Sequence, residues 1–200
     1  MGVGFGAVVL GAGLSAILSF SFLALAIGTE YWYIIEDKRT NHTDPQHVHS
    51  GFWGVENDEL PFTGDPSRFT ESERQMQDLH YVIAVLLPLS LVLLVSGGIC
   101  GMASSLAQSR LLLMGTASYF LLCSLLTLSG VSLYINYSQK ALEEAEVRIG
   151  LEQMAMVHTS FGWSMGLAWL SFILEVITGL LLLLAAWMVQ LTQQETVAPI

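Results

Sequence analysis

Four stretches of the chain are long and almost wholly apolar. Residues 5–27, 81–103 and 111–135 contain no Asp, Glu, Lys or Arg, and residues 161–189 contain one, Glu175. A helix needs roughly 20 apolar residues to cross a hydrocarbon core about 30 Å thick. A lone segment in hydrocarbon can satisfy its backbone only as a helix. The pattern therefore predicts four membrane-spanning helices in a single domain over residues 1–200. The polar connections are unequal: 28–80 is long, 104–110 very short, 136–160 intermediate, and 190–200 forms a tail. The short link folds the second and third helices into an antiparallel hairpin. No internal repeat is evident, which argues against the inverted-repeat design of many transporters. The first stretch has a rival reading, because Ala24-Leu25-Ala26 resembles a signal-peptidase site. No Lys or Arg precedes that stretch, however, and it exceeds the 7–15 residues usual for a signal.

Within the long connection, Glu30–Ile35 is rich in aromatic and β-branched residues and predicts a strand; Gly51–Val55 predicts another. Residues 41–45 and 61–66 carry turn chemistry. Thr70 and Glu73 have capping-box spacing, which predicts a helix from Glu71 running straight into the second span. Residues 141–156 are helical by propensity, continuing or flanking the third span, with a break near Gly150.

Composition agrees with the pattern. Hydrophobic residues make up 53% of the chain and charged residues 12%, against about 25% charged in a soluble domain. The mean hydropathy is +0.59. The net charge is −10, and eleven of the seventeen acids lie between Glu30 and Asp78, with four more between Glu143 and Glu152. That excess excludes nucleic acid as a partner and excludes a polybasic lipid-binding face. Arg110 is the one base on the short-link side; six lie in the two longer connections. Bases alone would orient the chain with those connections inside. The sequon Asn41-His42-Thr43 and the acid excess place the long connection outside, with Asn41 as the glycosylation candidate. A second sequon, Asn136-Tyr137-Ser138, lies too close to the third span for the transferase to reach. Cys100 and Cys123 both fall in apolar blocks, so neither polar segment can hold a disulfide. They read as small buried residues, with palmitoylation of Cys100 as the alternative.

Small residues are the clearest signal within the spans. Ala7, Gly11, Ser15 and Ser19 repeat every four residues, and Gly97/Gly101 and Gly162/Gly166 form GxxxG pairs. Such faces let helix backbones approach closely. Their expected role is packing within one bundle; the alternative is a docking face for another membrane protein. Glu175 is the one acid at membrane depth. Lipid exposure of a carboxyl is costly, so a protonated or hydrogen-bonded group is expected. A proton path would need a second titratable group at that depth, and the other spans have none. His42, His47 and His49, with Asp44, have spacings a metal could use. A solvated loop is the reading preferred, with no metal site. The tail Val197-Ala198-Pro199-Ile200 is a poor fit to a carboxylate-binding groove. No phosphate loop, nucleophile elbow or HExxH is present. No catalytic residue and no cofactor is expected.

The layout resembles the superfamily of claudins, peripheral myelin protein and calcium-channel gamma subunits, over nearly the whole chain. Trp32 and Gly51-Phe52-Trp53 are similar to that superfamily's Trp and Gly-Leu-Trp loop signature. Pro88-Leu89-Ser90, Gly97–Cys100, Phe161–Ser164, Leu170–Ile173 and Glu175 look like the gamma branch. Tyr31–Ile34, Leu86–Val95, Gly130–Tyr137 and Ser160–Ser164 are similar to a claudin-like pair called transmembrane proteins 114 and 235. The resemblance implies an all-α membrane protein: a left-handed four-helix bundle with a small extracellular antiparallel sheet and both termini cytosolic. The chain departs from the pattern at the loop disulfide: Glu56 stands where the first cysteine belongs, and none follows before Cys100. A sheet held by aromatic packing rather than by a disulfide is expected.

The first expectation for function is a non-catalytic claudin-like protein of the plasma membrane. It would act by lateral helix packing and by contact between cells. Its partners would be lipid and other membrane proteins: itself, claudin-like proteins or a channel. The alternative is an auxiliary subunit of an ion channel, and a third reading is a small transporter using Glu175.

Overall fold

The computed structural model describes residues 3–29, 31–37, 47–50, 71–149 and 157–197. Four helices account for most of them: α1 (Val3–Gly28), α2 (Glu71–Ala107), α3 (Arg110–Ile149) and α4 (Trp163–Val197). Each contains a segment long and apolar enough to cross a membrane: Gly4–Gly28, Asp78–Ala107, Arg110–Lys140 and Trp163–Gln194. The 37 residues of α2 and the 40 of α3 extend about 55–60 Å at 1.5 Å per residue. That exceeds the roughly 30 Å hydrocarbon core. The excess is the charged start of α2 and the charged end of α3. The helix from Glu71 runs into the second span without interruption, while Thr70 and the side chain of Glu73 lie outside the described residues.

The link between α2 and α3 is shorter than the predicted 104–110. Only Gln108 and Ser109 are non-helical. Gln108 has φ of 48°, the left-handed conformation that terminates helices. The Leu113 N–H then donates to the Ser109 carbonyl at 3.0 Å, which places Ser109 at the N-cap of α3. The fourth helix begins at Trp163 and not at residue 161. Phe161 belongs to a strand, because its backbone pairs with Tyr33.

Three short strands, β1 (Tyr33–Asp37), β2 (His47–Ser50) and β3 (Val157–Phe161), form an antiparallel sheet in the order β2-β1-β3. Tyr33 pairs with Ser50 on one side and with Phe161 on the other. Two corrections follow. The strand expected over Glu30–Ile35 lies at Tyr33–Asp37. His47–Ser50, read as part of a solvated loop, is a strand, and so is Val157–Phe161. Neither stretch has strong strand character of its own; both become strands by lending hydrogen bonds to β1. The Gly51–Val55 strand falls outside the described residues.

The chain divides into two compact units. One contains Met1–Ala24, Leu89–Leu128 and Trp169–Ile200; the other contains Leu25–Pro88 and Ser129–Ala168. In the first unit the buried apolar residues are mostly small or slender, such as Ala12, Ala117, Ala185 and Ala186, around Phe120. Many of its large apolar side chains point outward, Leu10 and Leu14 among them, while Leu23, Leu94, Leu113 and Leu182 are buried. That inversion of a soluble protein is what a hydrocarbon solvent permits. In the second unit the core is built on Trp32, Tyr134, Ile83 and Leu87.

Candidate functional site

The interior of the first unit is a ladder of hydroxyls around one carboxyl. Ser171, Glu175 and Thr178 lie one turn apart on one face of α4, as helical spacing dictates, and all are buried. Thr127 of α3 donates to both carboxyl oxygens of Glu175, at 2.9 Å to Oε1 and 3.1 Å to Oε2. Ser90 of α2 lies 2.6 Å from Thr127 Oγ1 and so can donate to Thr127 while Thr127 donates to Glu175. From the other side, Ser171 Oγ reaches Glu175 Oε1 at 3.4 Å. Ser171 also pairs reciprocally with Ser19 of α1: each hydroxyl donates to the other residue's carbonyl, at 2.9 and 3.1 Å. One rung further along, Ser15 Oγ and Thr178 Oγ1 share a hydrogen bond of 2.7 Å. All four helices thus supply a hydroxyl or a carboxyl to one connected network. In hydrocarbon an unbonded polar group is expensive, so each rung holds its two helices in one register.

The small residues sort into different fates. Gly11 would place a Cβ 3.7 Å from Leu181, and Ser15 is consumed by its bond to Thr178. Gly97 is buried, with Tyr119 2.9 Å from where a Cβ would sit; Gly101 faces Thr116 at 3.8 Å. These four pack within the first unit. Gly166 does not: it is exposed and has nothing within 4 Å of an added Cβ. Gly130 and Gly179, not among the expected packing glycines, sit at close approaches: an added Cβ would lie 2.7 Å from Leu87 and 3.0 Å from Leu121. Isolated glycines carry no spacing signal. The hydroxyl ladder did carry one: polar residues at 171, 175 and 178 share a helix face within an apolar span.

In the second unit Trp32 is the centre. Its side chain is fully buried, its Nε1–H donates to the Ala26 carbonyl at 2.6 Å, and its ring lies 4.6 Å from that of Tyr134. Gly162 stands just before α4 and not on it. Its N–H donates to the Trp32 carbonyl at 3.0 Å, extending the β1–β3 pairing by one residue. A Cβ on Gly162 would lie 1.7 Å from the Tyr31 carbonyl oxygen. Only glycine permits this crossing of backbones. Thr29 and Ser164 hydroxyls close it at 2.8 Å, and the rings of Tyr31 and Trp163 stack beside it at 5.6 Å. Gly162 therefore serves a strand–helix junction, and the expected Gly162/Gly166 helix pair does not exist.

Asn41, Gly51, Phe52 and Trp53 lie outside the described residues, as do His42 and Asp44; His47 and His49 sit on β2. Among the described residues no three His, Cys, Asp or Glu come close enough to hold a metal. Cys123 is buried and Cys100 exposed, and both are free thiols.

The outer face of α4 carries a feature that hydropathy alone conceals. Leu170, Ile173, Ile177, Leu180, Leu184, Trp187 and Leu191 are all exposed, and their spacing alternates three and four residues. That spacing forms one continuous outward face of the helix, open to lipid or to a partner helix. It was illegible beforehand because every face of the span is apolar.

Four apolar helices of membrane-crossing length define a multi-pass membrane protein. A family profile described as PMP-22/EMP/MP20/Claudin tight junction matches residues 54–184, more than half of the chain. The chain belongs to that family.

Proposed function

We propose that this protein is a non-catalytic, claudin-like protein of the plasma membrane. It works by binding other membrane proteins side by side and presents its sheet outside the cell, at contacts between cells. The observation that carries the proposal is the exposed seam on α4, from Leu170 to Leu191. The family's description, which names the tight junction, supports the setting. The whole chain acts as one tetraspan domain, with both termini in the cytosol and Asn41 glycosylated outside. Trp32 holds the sheet where the superfamily uses a disulfide. Within the family, the segments around Tyr31 and Ser160 favour the branch of transmembrane proteins 114 and 235. The gamma-like segments of α2 and α4 give a second reading in which the lateral partner is a channel. Glu175 supports neither transport nor catalysis, because its carboxyl is enclosed by hydroxyls that it holds in place.

The test is capture of neighbours from native membranes after mild solubilisation. The variant Ile173→Ala/Ile177→Ala/Leu180→Ala should lose the captured proteins while melting like the parent in detergent. The parent should concentrate where two expressing cells meet. Unchanged capture together with uniform distribution over the cell surface would refute the proposal.

A further inference from the structure

The register of the sheet brings together residues that no single stretch of sequence shows side by side. Glu36 on β1 pairs with His47 of β2 on one side and with His158 of β3 on the other. Residues directly opposite in an antiparallel pair share a face, with Cβ atoms about 4.5–5.5 Å apart. His47, Glu36 and His158 therefore form one row across all three strands. Ile34 pairs with His49 and with Ser160. It stands two residues from Glu36, so His49 falls on the same face as the row. Three of the chain's five histidines thus share one face with one carboxylate. The opposite face holds Tyr33, Ile35, Val48, Val157 and Phe161 and is the more apolar of the two.

The donor set is that of a zinc ion. Two imidazoles and one carboxylate, completed by water, form a recurring zinc ligand set. Imidazole favours Zn²⁺ over Ca²⁺ and Mg²⁺, which take oxygen ligands. The two histidines stand two strand spacings apart, about 10 Å, a separation that two imidazoles can close on one ion. The described side chains hold no metal cluster, but these three are not among them. We propose that His47, Glu36 and His158 bind one Zn²⁺ on the sheet. The ion ties β2, β1 and β3 to one another. No disulfide can do so, because the two cysteines, Cys100 and Cys123, lie on α2 and α3.

The test uses the full-length chain in detergent, stripped with a chelator and titrated calorimetrically with ZnCl₂. One Zn²⁺ should bind per chain, and CaCl₂ and MgCl₂ should give no comparable heat. His158→Ala and His47→Ala should each weaken binding at least about tenfold, since losing even a group that orients a ligand costs that much. His42→Ala should leave binding unchanged. His158 is the deciding position, because only the strand register joins it to the other residues of the row. Zn²⁺ should raise the melting temperature of the parent but not of His158→Ala. Glu36→Gln, a milder change, should also bind at least about tenfold more weakly, and it tests the row if His158→Ala fails to fold. Binding should weaken as the pH falls below about 6.5, because a protonated imidazole cannot ligate. Absence of Zn²⁺ binding by the parent would overturn the proposal. So would binding that survives His158→Ala and Glu36→Gln but is lost in His42→Ala, which would put the ion in residues 42–49. Binding abolished by Cys100→Ser would overturn it too, by assigning the ion to a thiol.

Discussion

In the first unit, helices are joined by hydroxyl pairs and by one carboxyl: Ser15 to Thr178, Ser19 to Ser171, and Ser90 through Thr127 to Glu175. In the second unit, the chain is joined mainly by rings and by backbone, Trp32 on Tyr134 and Gly162 crossing Tyr31, with one hydroxyl pair, Thr29 and Ser164. The difference follows the solvent. Inside hydrocarbon no water competes for a hydroxyl, and apolar area gives no drive because lipid is equally apolar. Toward the ends of the spans and beyond them, water competes for hydroxyls, and burying a large ring regains hydrophobic value. The missing loop disulfide fits this division. Trp32, just before β1, is held by its indole bond to Ala26 and by the Tyr134 ring.

That comparison can be broken at its strongest point first. Gly162→Ala puts a methyl into the Tyr31 carbonyl, which is backbone and cannot rotate away. A loss exceeding about 4 kcal/mol is expected, seen as loss of folded protein in a detergent melt and of surface delivery. Near-normal melting would show that the crossing yields. Trp32→Ala should cost about 3–5 kcal/mol. Trp32→Phe keeps an apolar ring but leaves the Ala26 carbonyl without the indole donor, and should lose about 1 kcal/mol beyond any packing change. Denaturant titration of the pair separates ring from hydrogen bond.

Smaller effects are expected in the ladder. Glu175→Leu takes from Thr127 its main acceptor, while Ser171 keeps the Ser19 carbonyl; it should destabilise by about 2 kcal/mol, whereas Glu175→Gln retains an acceptor and should lose less than about 1 kcal/mol. Equal losses for the two would mean that volume matters there and hydrogen bonding does not. Thr127→Val should fall within about 0.6–1.7 kcal/mol, the range for single hydrogen bonds between membrane helices. Gly166→Ala, four residues from the most sensitive glycine, should change stability by no more than about 0.5 kcal/mol. A large effect would show that the face around Gly166 is occupied.

Much of this was legible in advance. Three of the four spans lie within α1, α2 and α3, and the fourth needed only its first two residues, Phe161 and Gly162, removed, because charge-free runs of that length have one backbone solution. The helix leading in from Glu71 was expected from the spacing of Thr70 and Glu73, and the helix does begin at Glu71. Glu175 was marked by being the one acid at depth, but its partners were not: Thr127 and Ser90 are far away in sequence, and a hydroxyl in an apolar run looks the same wherever it points. The strands β2 and β3 were illegible because their conformation is imposed by β1. Gly162 was misassigned because four-residue spacing does not reveal where a helix begins.

From its residues alone, the chain determined how many times it crosses the membrane, which segments cross, and that Glu175 is exceptional. Those follow from transfer free energy and backbone hydrogen bonding, which act on each segment by itself. Tertiary structure decided which hydroxyl meets which, which glycine is locked against a backbone and which is open, and which apolar face remains for a partner. In a chain whose spans are apolar all round, periodicity cannot separate inside from outside. Only the packed helices, through small contacts and the few polar groups they enclose, make that choice.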